Sequence, residues 1–163
     1  RGMSSAASDV YKRQDKDVYN KILPVLRYMG KDILHCGKSG TGQLTKILNN
    51  MILFETVVAL SEAANIAEQY GMNVENLYEN ITKCSGDSFA LRNHGLKSIA
   101  KNNFPSPAFS SEYALKDLSY ALELGQKLNV KMPGALSAEN LLKTSIKNGD
   151  KDLYFPVMKK YFS

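Results

Sequence analysis

Lys46 and Asn50 are the residues of this chain best placed for chemistry. They stand four apart in Gly40-Thr-Gly42-Gln-Leu-Thr-Lys46-Ile-Leu-Asn49-Asn50. Two glycines break the backbone there. No further Gly or Pro occurs until Gly71, so a long helix is expected over about 42–70, and a spacing of four puts Lys46 and Asn50 on one helical face. Leu44, Ile47, Leu48, Met51, Ile52, Leu53, Phe54, Val57, Val58 and Leu60 make that helix apolar nearly all round, which predicts burial. An ammonium and an amide held on a buried helix are costly unless a partner pairs with them, and a bound substrate is one such partner. Reduction of a carbonyl by hydride builds negative charge on oxygen, which a nearby ammonium both stabilises and protonates. An amide one turn away can donate to and accept from a hydroxyl or carboxylate.

The elements expected to position these groups are mostly helical. Val18, Ile22, Leu23, Val25 and Leu26 predict a helix over about 15–28, interrupted by Pro24, and Asp32–Cys36 reads as a short strand. Beyond the long helix, Gly71 is expected as a C-terminal stop. Asn73 is expected to cap a helix over about 74–83, and Ser88 one over 89–101. Ser110 or Ser111 opens a helix to Leu128, with Tyr113, Leu115, Leu118, Leu122 and Leu128 inward. Pro133 opens the next, and a last short helix over 152–161 is expected to be capped by Asp152. The predicted fold is mainly α: a helical bundle around one long buried helix, preceded by a helix–strand pair that resembles the last unit, a remnant, of a Rossmann-type domain. Residues 1–14 show neither helical nor strand period and are expected to be a non-native or disordered leader. The expected organisation is therefore leader 1–14, remnant 15–39 and an all-α domain 40–163.

The chain has 163 residues, 44% hydrophobic and 23% charged, with net charge +5. Its lysines are scattered, with no aromatic–basic stripe, so no nucleic-acid partner is expected. His35, His94, Cys36 and Cys84 lack companions at ligand spacing, and no metal site is expected. No uninterrupted apolar run reaches about 18 residues. With nothing like a signal-peptide core either, the expectation is a cytoplasmic protein without a membrane partner.

The motif Gly40-x-Gly42-x-x-x-Lys46-x-x-Asn49-Asn50 resembles that of the β-hydroxyacid dehydrogenases, which include 3-hydroxyisobutyrate dehydrogenase and tartronate semialdehyde reductase. The likeness continues through Ser61-Glu62-Ala63, Gly71-Met72-Asn73, Phe109 with Lys116-Asp117-Leu118, Pro133, and Gly149 followed by Asp152. It covers about residues 15–160. The resemblance implies an NAD(P)-dependent oxidoreductase interconverting a small 3-hydroxyacid and its semialdehyde. Lys46 would be the catalytic acid–base, with Asn50 and Gly42 at the substrate and Lys116 and Phe109 at the NAD or NADP cofactor. It also implies a homo-oligomer, as does an all-round apolar helix that one small domain would leave partly uncovered. No Gly-x-Gly-x-x-Gly loop occurs in the chain, so it is expected to be a truncated fragment, inactive by itself. The alternatives are a catalytically inactive scaffold on the same fold and a 6-phosphogluconate dehydrogenase-like enzyme. Those enzymes carry Lys-x-x-His-Asn, and Asn49 stands here in place of their histidine.

Overall fold

The computed structural model describes residues 9–12, 16–28, 30 and 32–162. It divides into two compact units, residues 1–49 and 50–163, with the boundary inside the longest helix.

In the first unit, β1 (Asp9–Lys12) pairs in parallel with β2 (Asp32–His35), Asp9 opposite Asp32 and Lys12 opposite His35. Parallel strands need a crossover, and α1 (Lys16–Leu26) lies between them in sequence. The Tyr19 hydroxyl donates to the Ile33 carbonyl at 3.1 Å, tying α1 to β2. Pro24 is accommodated within the last turn of α1, where only a few residues remain to be hydrogen-bonded. β1 falls where a structureless leader is expected. Four residues are too few to show a period, and the pairing partner lies more than twenty residues on. Residues 1–8, 13 and 14 of the expected leader lie outside the described residues.

α2 (Thr41–Tyr70) crosses from the first unit into the second. It ends as its sequence predicts. Gly71 adopts φ +84°, its N–H bonds to Glu68 O at 3.1 Å, and Met72 N–H reaches Ala67 O at 2.8 Å. This pair of bonds satisfies the last carbonyls, and the left-handed turn is open to glycine without a Cβ penalty. By length and composition alone α2 could cross a membrane, but its inner face packs in the core of the second unit: Phe54, Val57, Val58, Leu60, Ala64 and Ala67. The expectation of all-round burial is not met. Ile52 is 59% exposed and Ile66 71%, because the neighbouring helices cover one side of a helix that is apolar on both.

α3 (Val74–Ile81) follows, its Asn73 side chain accepting from Asn76 N–H at 2.9 Å. The Tyr78 hydroxyl donates to Leu60 O at 2.6 Å and so pins α3 to α2. Burial of that phenol raises its pKa, with a smaller push from Glu68. The helix expected after Ser88 forms, and the Ser88 hydroxyl accepts from Leu91 N–H at 3.0 Å. Over Leu91–Ile99 it is wound as a π-helix rather than an α-helix. Leu91, His94, Gly95, Ser98 and Ile99 face inward along it. Gly95 is needed there: a Cβ would lie 3.3 Å from the Tyr78 ring and 3.2 Å from Leu91.

α4 (Ser111–Lys127) is capped by Ser110 and packs on α5 (Pro133–Lys147). The inward face of α4 is Ser111, Ala114, Leu118, Ala121 and Gly125. Tyr113 and Leu128, expected inward, are 60% and 63% exposed. Small residues at spacings of three and four let the helices approach closely, and that geometry outweighs side-chain size. The chain closes with a 3₁₀ helix, Phe155–Tyr161. It is preceded by Tyr154 without a side-chain cap, so Asp152 does not cap it. The acidic residue used there is Asp150, which accepts from the Tyr161 hydroxyl at 2.7 Å. Lys159 of this helix pairs with Glu68 of α2 at 2.5 Å. Truncating fully buried Leu118 to alanine is expected to cost about 2–5 kcal/mol in urea denaturation. Leu128→Ala should cost less than about 0.5–1 kcal/mol, and comparable losses from the two would refute this assignment of the inward face.

Candidate functional site

The turn leading into α2 is set by Gly40, whose φ is +92°. The Thr41 hydroxyl donates to Lys38 O at 2.7 Å, and Leu44 N–H reaches Gly40 O at 3.1 Å. Gly42, expected at the head of the long helix and at the substrate, is buried within the first turn of α2. The positive-φ conformation belongs to Gly40. Lys46 is half-buried in the part of α2 that belongs to the first unit. Along the same helix it precedes Asn50 by four residues, a rise of about 6 Å.

Asn50 opens the second unit. Its side-chain amide nitrogen donates to Asp117 Oδ2 on α4 at 2.8 Å, across 67 positions of sequence. A charge-assisted hydrogen bond of this kind orients the amide, making its nitrogen the Asp117 side and its oxygen the acceptor end. The sequence reading gives Asp117 no role of its own. A signal for it does exist. It stands three after Ala114 and four before Ala121, both inward, so a helical projection puts it at the edge of the buried face.

Phe109 lies just before α4, half-buried in an aromatic cluster. Its ring centroid is 5.8 Å from that of Phe54 and 5.6 Å from that of Phe155. Its carbonyl accepts from Phe155 N–H at 3.0 Å. Lys116 is exposed on α4. It forms no ion pair with Glu112 or Asp117 among the described residues. Its ammonium instead lies 5.1 Å from the Tyr113 ring centroid.

His94 is the titratable group that sequence reasoning passed over. The π-helix carries it into the interior, where Nδ1 hydrogen-bonds the Tyr154 hydroxyl. Its Nε2 is buried, with no hydrogen-bond partner among the described residues. Burial, and secondarily the Lys97 ammonium, lower its pKa to about 4. Burial raises the Tyr154 hydroxyl to about 12. No three His, Cys, Asp or Glu side chains converge to hold a metal among the described residues.

Comparison with known proteins places this arrangement. Residues 40–161 match the family model described as the NAD-binding domain of NADP-dependent 3-hydroxyisobutyrate dehydrogenase. The 2-(hydroxymethyl)glutarate dehydrogenase of Eubacterium barkeri is 35% identical over 133 residues, 82% of this chain and 44% of that protein. The mitochondrial 3-hydroxyisobutyrate dehydrogenase of Drosophila melanogaster is 32% identical over 151 residues, 87% of this chain and 47% of that protein. Among solved structures, 3-hydroxyisobutyrate dehydrogenase of Mycobacterium tuberculosis with L-serine superposes with a TM-score of 0.85 at 29% identity. That match covers 96% of this chain and 56% of the other. The chain thus spans about half the length of these relatives.

The site geometry makes one pH-dependent prediction. The folded state holds His94 neutral down to about pH 4, whereas an unfolded histidine binds its proton near pH 6.5. Between these values the unfolded state binds more protons, so the contribution of His94 is complete above about 6.5 and is lost as pH falls toward 4. The span amounts to about 3 kcal/mol at most. Thermal unfolding of wild type and His94→Phe across pH 4–7.5 should show a steeper acid-side fall in wild type. Parallel curves would mean that His94 is not held neutral.

Proposed function

The chain belongs to the 3-hydroxyisobutyrate dehydrogenase family, and we propose that it supplies the catalytic helical domain of an NAD(P)-dependent oxidoreductase acting on a small 3-hydroxyacid. The observation that carries this reading is the Asn50–Asp117 hydrogen bond. It fixes the Asn50 amide, four residues after Lys46 in sequence, so that it can grip a substrate hydroxyl or carboxylate.

A reduced nicotinamide, when bound, would supply hydride to the semialdehyde carbon. The C=O π electrons move to oxygen, and the Lys46 ammonium delivers a proton to that oxygen, leaving neutral lysine. Oxidation of the alcohol runs the same step in reverse, with neutral lysine taking the hydroxyl proton. Asn50 orients the substrate, with Asp117 holding its amide. Gly42, without a side chain in the first turn of α2, leaves room beside the reacting groups. Lys116 and the Phe109 region serve the dinucleotide, NAD or NADP. The exposed Ile52 and Ile66 on α2 support homo-oligomeric assembly, because burial of such residues against a second subunit is favourable.

These roles are tested in a polypeptide joining this chain to a dinucleotide-binding half of the length its relatives carry. Lys46→Met should lower kcat by about 10²–10⁴-fold with little change in cofactor affinity, the range that general acid–base assistance contributes. Near-native kcat in that variant at every pH would make Lys46 a structural lysine. Asn50→Ala should chiefly raise the KM for the hydroxyacid, and Asp117→Ala should raise it less, since it removes the hold on the amide but leaves the amide itself in place. A kcat loss in Asn50→Ala as large as that of Lys46→Met would overturn the division of roles. Light scattering at micromolar concentration should find a dimer or larger, and Ile52→Glu with Ile66→Glu should shift it toward monomer. A wild-type monomer removes the assembly proposal.

A further inference from the structure

Lys116 should be a mobile surface lysine, yet its ammonium has a defined resting place. It stands on the exposed side of α4 with candidate partners on every hand: Glu112 four residues before, Asp117 beside it, and Tyr113 and Tyr120 three before and four after. Glu112 four residues ahead of a lysine is the favoured helical ion-pair order, but no such pair forms among the described residues. Asp117 is engaged with Asn50 at 2.8 Å. The ammonium lies 5.1 Å from the Tyr113 ring centroid, within the roughly 6 Å over which an aromatic face attracts a cation. The choice between the two tyrosines follows from helix geometry. Side chains lean toward the helix N-terminus, so a lysine covers the residue three before it rather than the one four after.

A ring holds the charge without consuming any of the three N–H donors. The ammonium is thereby fixed in direction while its donors stay available for an acceptor. Tyr113 is itself 60% exposed, so its ring contributes little to the core. We infer that Tyr113 is a positioning residue for Lys116, holding its ammonium toward the N-terminal end of α4 to donate to oxygens of the nicotinamide dinucleotide. This rests on the assignment of Lys116 to the cofactor made above.

Two measurements test it. On the 163-residue chain, ¹³C-edited NMR should find the Lys116 ε-methylene protons shifted upfield by the ring current. The shift should persist in Tyr113→Phe and vanish in Tyr113→Leu; a wild-type signal at the ordinary lysine position overturns the inference. In the polypeptide with its dinucleotide-binding half, Tyr113→Leu should raise the cofactor KM about two- to fivefold, the factor set by an exposed cation–π contact. Its kcat at saturating cofactor should stay unchanged, and Tyr113→Phe and Tyr120→Leu should both behave as wild type. Tyr113→Leu should add nothing in a Lys116→Ala background. If Lys116→Ala raises the cofactor KM and Tyr113→Leu does not, the positioning role fails and the assignment of Lys116 stands. If Lys116→Ala leaves that KM unchanged, the assignment falls and the role of Tyr113 in cofactor binding falls with it.

Discussion

The second unit depends on one constraint: the inner face of α2 cannot be left in water. Phe54, Val57 and Ala64 are completely buried and Val58 and Leu60 nearly so. At about 25 cal/mol per Å² of apolar surface, that face is the largest single reason for the surrounding helices to condense on it. Phe155 of the closing 3₁₀ helix meets Phe54 edge-on at 5.2 Å. Tyr78 of α3 and Lys159 of the 3₁₀ helix reach the same helix through polar atoms. α2 therefore acts as a spine whose exposed side is apolar as well, the composition of a helix meant for more contact than these neighbours supply.

Polar groups inside this core are few and specific, because each must be hydrogen-bonded or bear a desolvation cost. The Tyr78 hydroxyl meets the Leu60 carbonyl, the Ser61 hydroxyl the Val57 carbonyl, and the Lys159 ammonium the Glu68 carboxylate. The Ser61 bond lies within α2 itself, whereas the Tyr78 and Lys159 bonds join separate elements and set their register on it. The Asn50–Asp117 bond differs in being only partly buried, and it ties the spine to α4 at the end nearest Lys46. His94 Nε2 and Ser111 Oγ are the exceptions, each buried without a partner among the described residues. Burial, more than the nearby Lys97, favours the neutral imidazole.

The same rigidity that stabilises the unit suits the proposed chemistry. A proton donor is effective when its position is fixed relative to the reacting atom, and a residue on a long packed helix is held better than one on a loop. In the proposed scheme the dinucleotide would draw on a different surface, the exposed side of α4, where Lys116 and Tyr113 stand clear of the core. Adjacent positions of one helix point about 100° apart, so Asp117 can reach Asn50 while Lys116 stays in solvent.

Local chemistry made much of this molecule legible from its sequence. Gly71 and Asn73 punctuate α2 and α3, Ser110 opens α4 and Pro133 opens α5, because caps and turns depend on residues within a few positions of each other. The family motif around Lys46 and Asn50 was legible for the same reason. What the tertiary structure decided involves partners distant in the chain or competition between faces. Pairing of Asp9–Lys12 with β2 required a strand over twenty residues away. The exposure of Ile52, Ile66, Tyr113 and Leu128 depended on which of two apolar faces the neighbouring helices cover. The close approach of Gly95 to the Tyr78 ring depended on α3 packing beside the Leu91–Ile99 helix. Asp117 became a partner of Asn50, and not of Lys116, only when α4 docked on α2. Hydrophobicity is non-directional, so a sequence can declare that a surface must be buried while leaving the choice of what buries it to the packed chain.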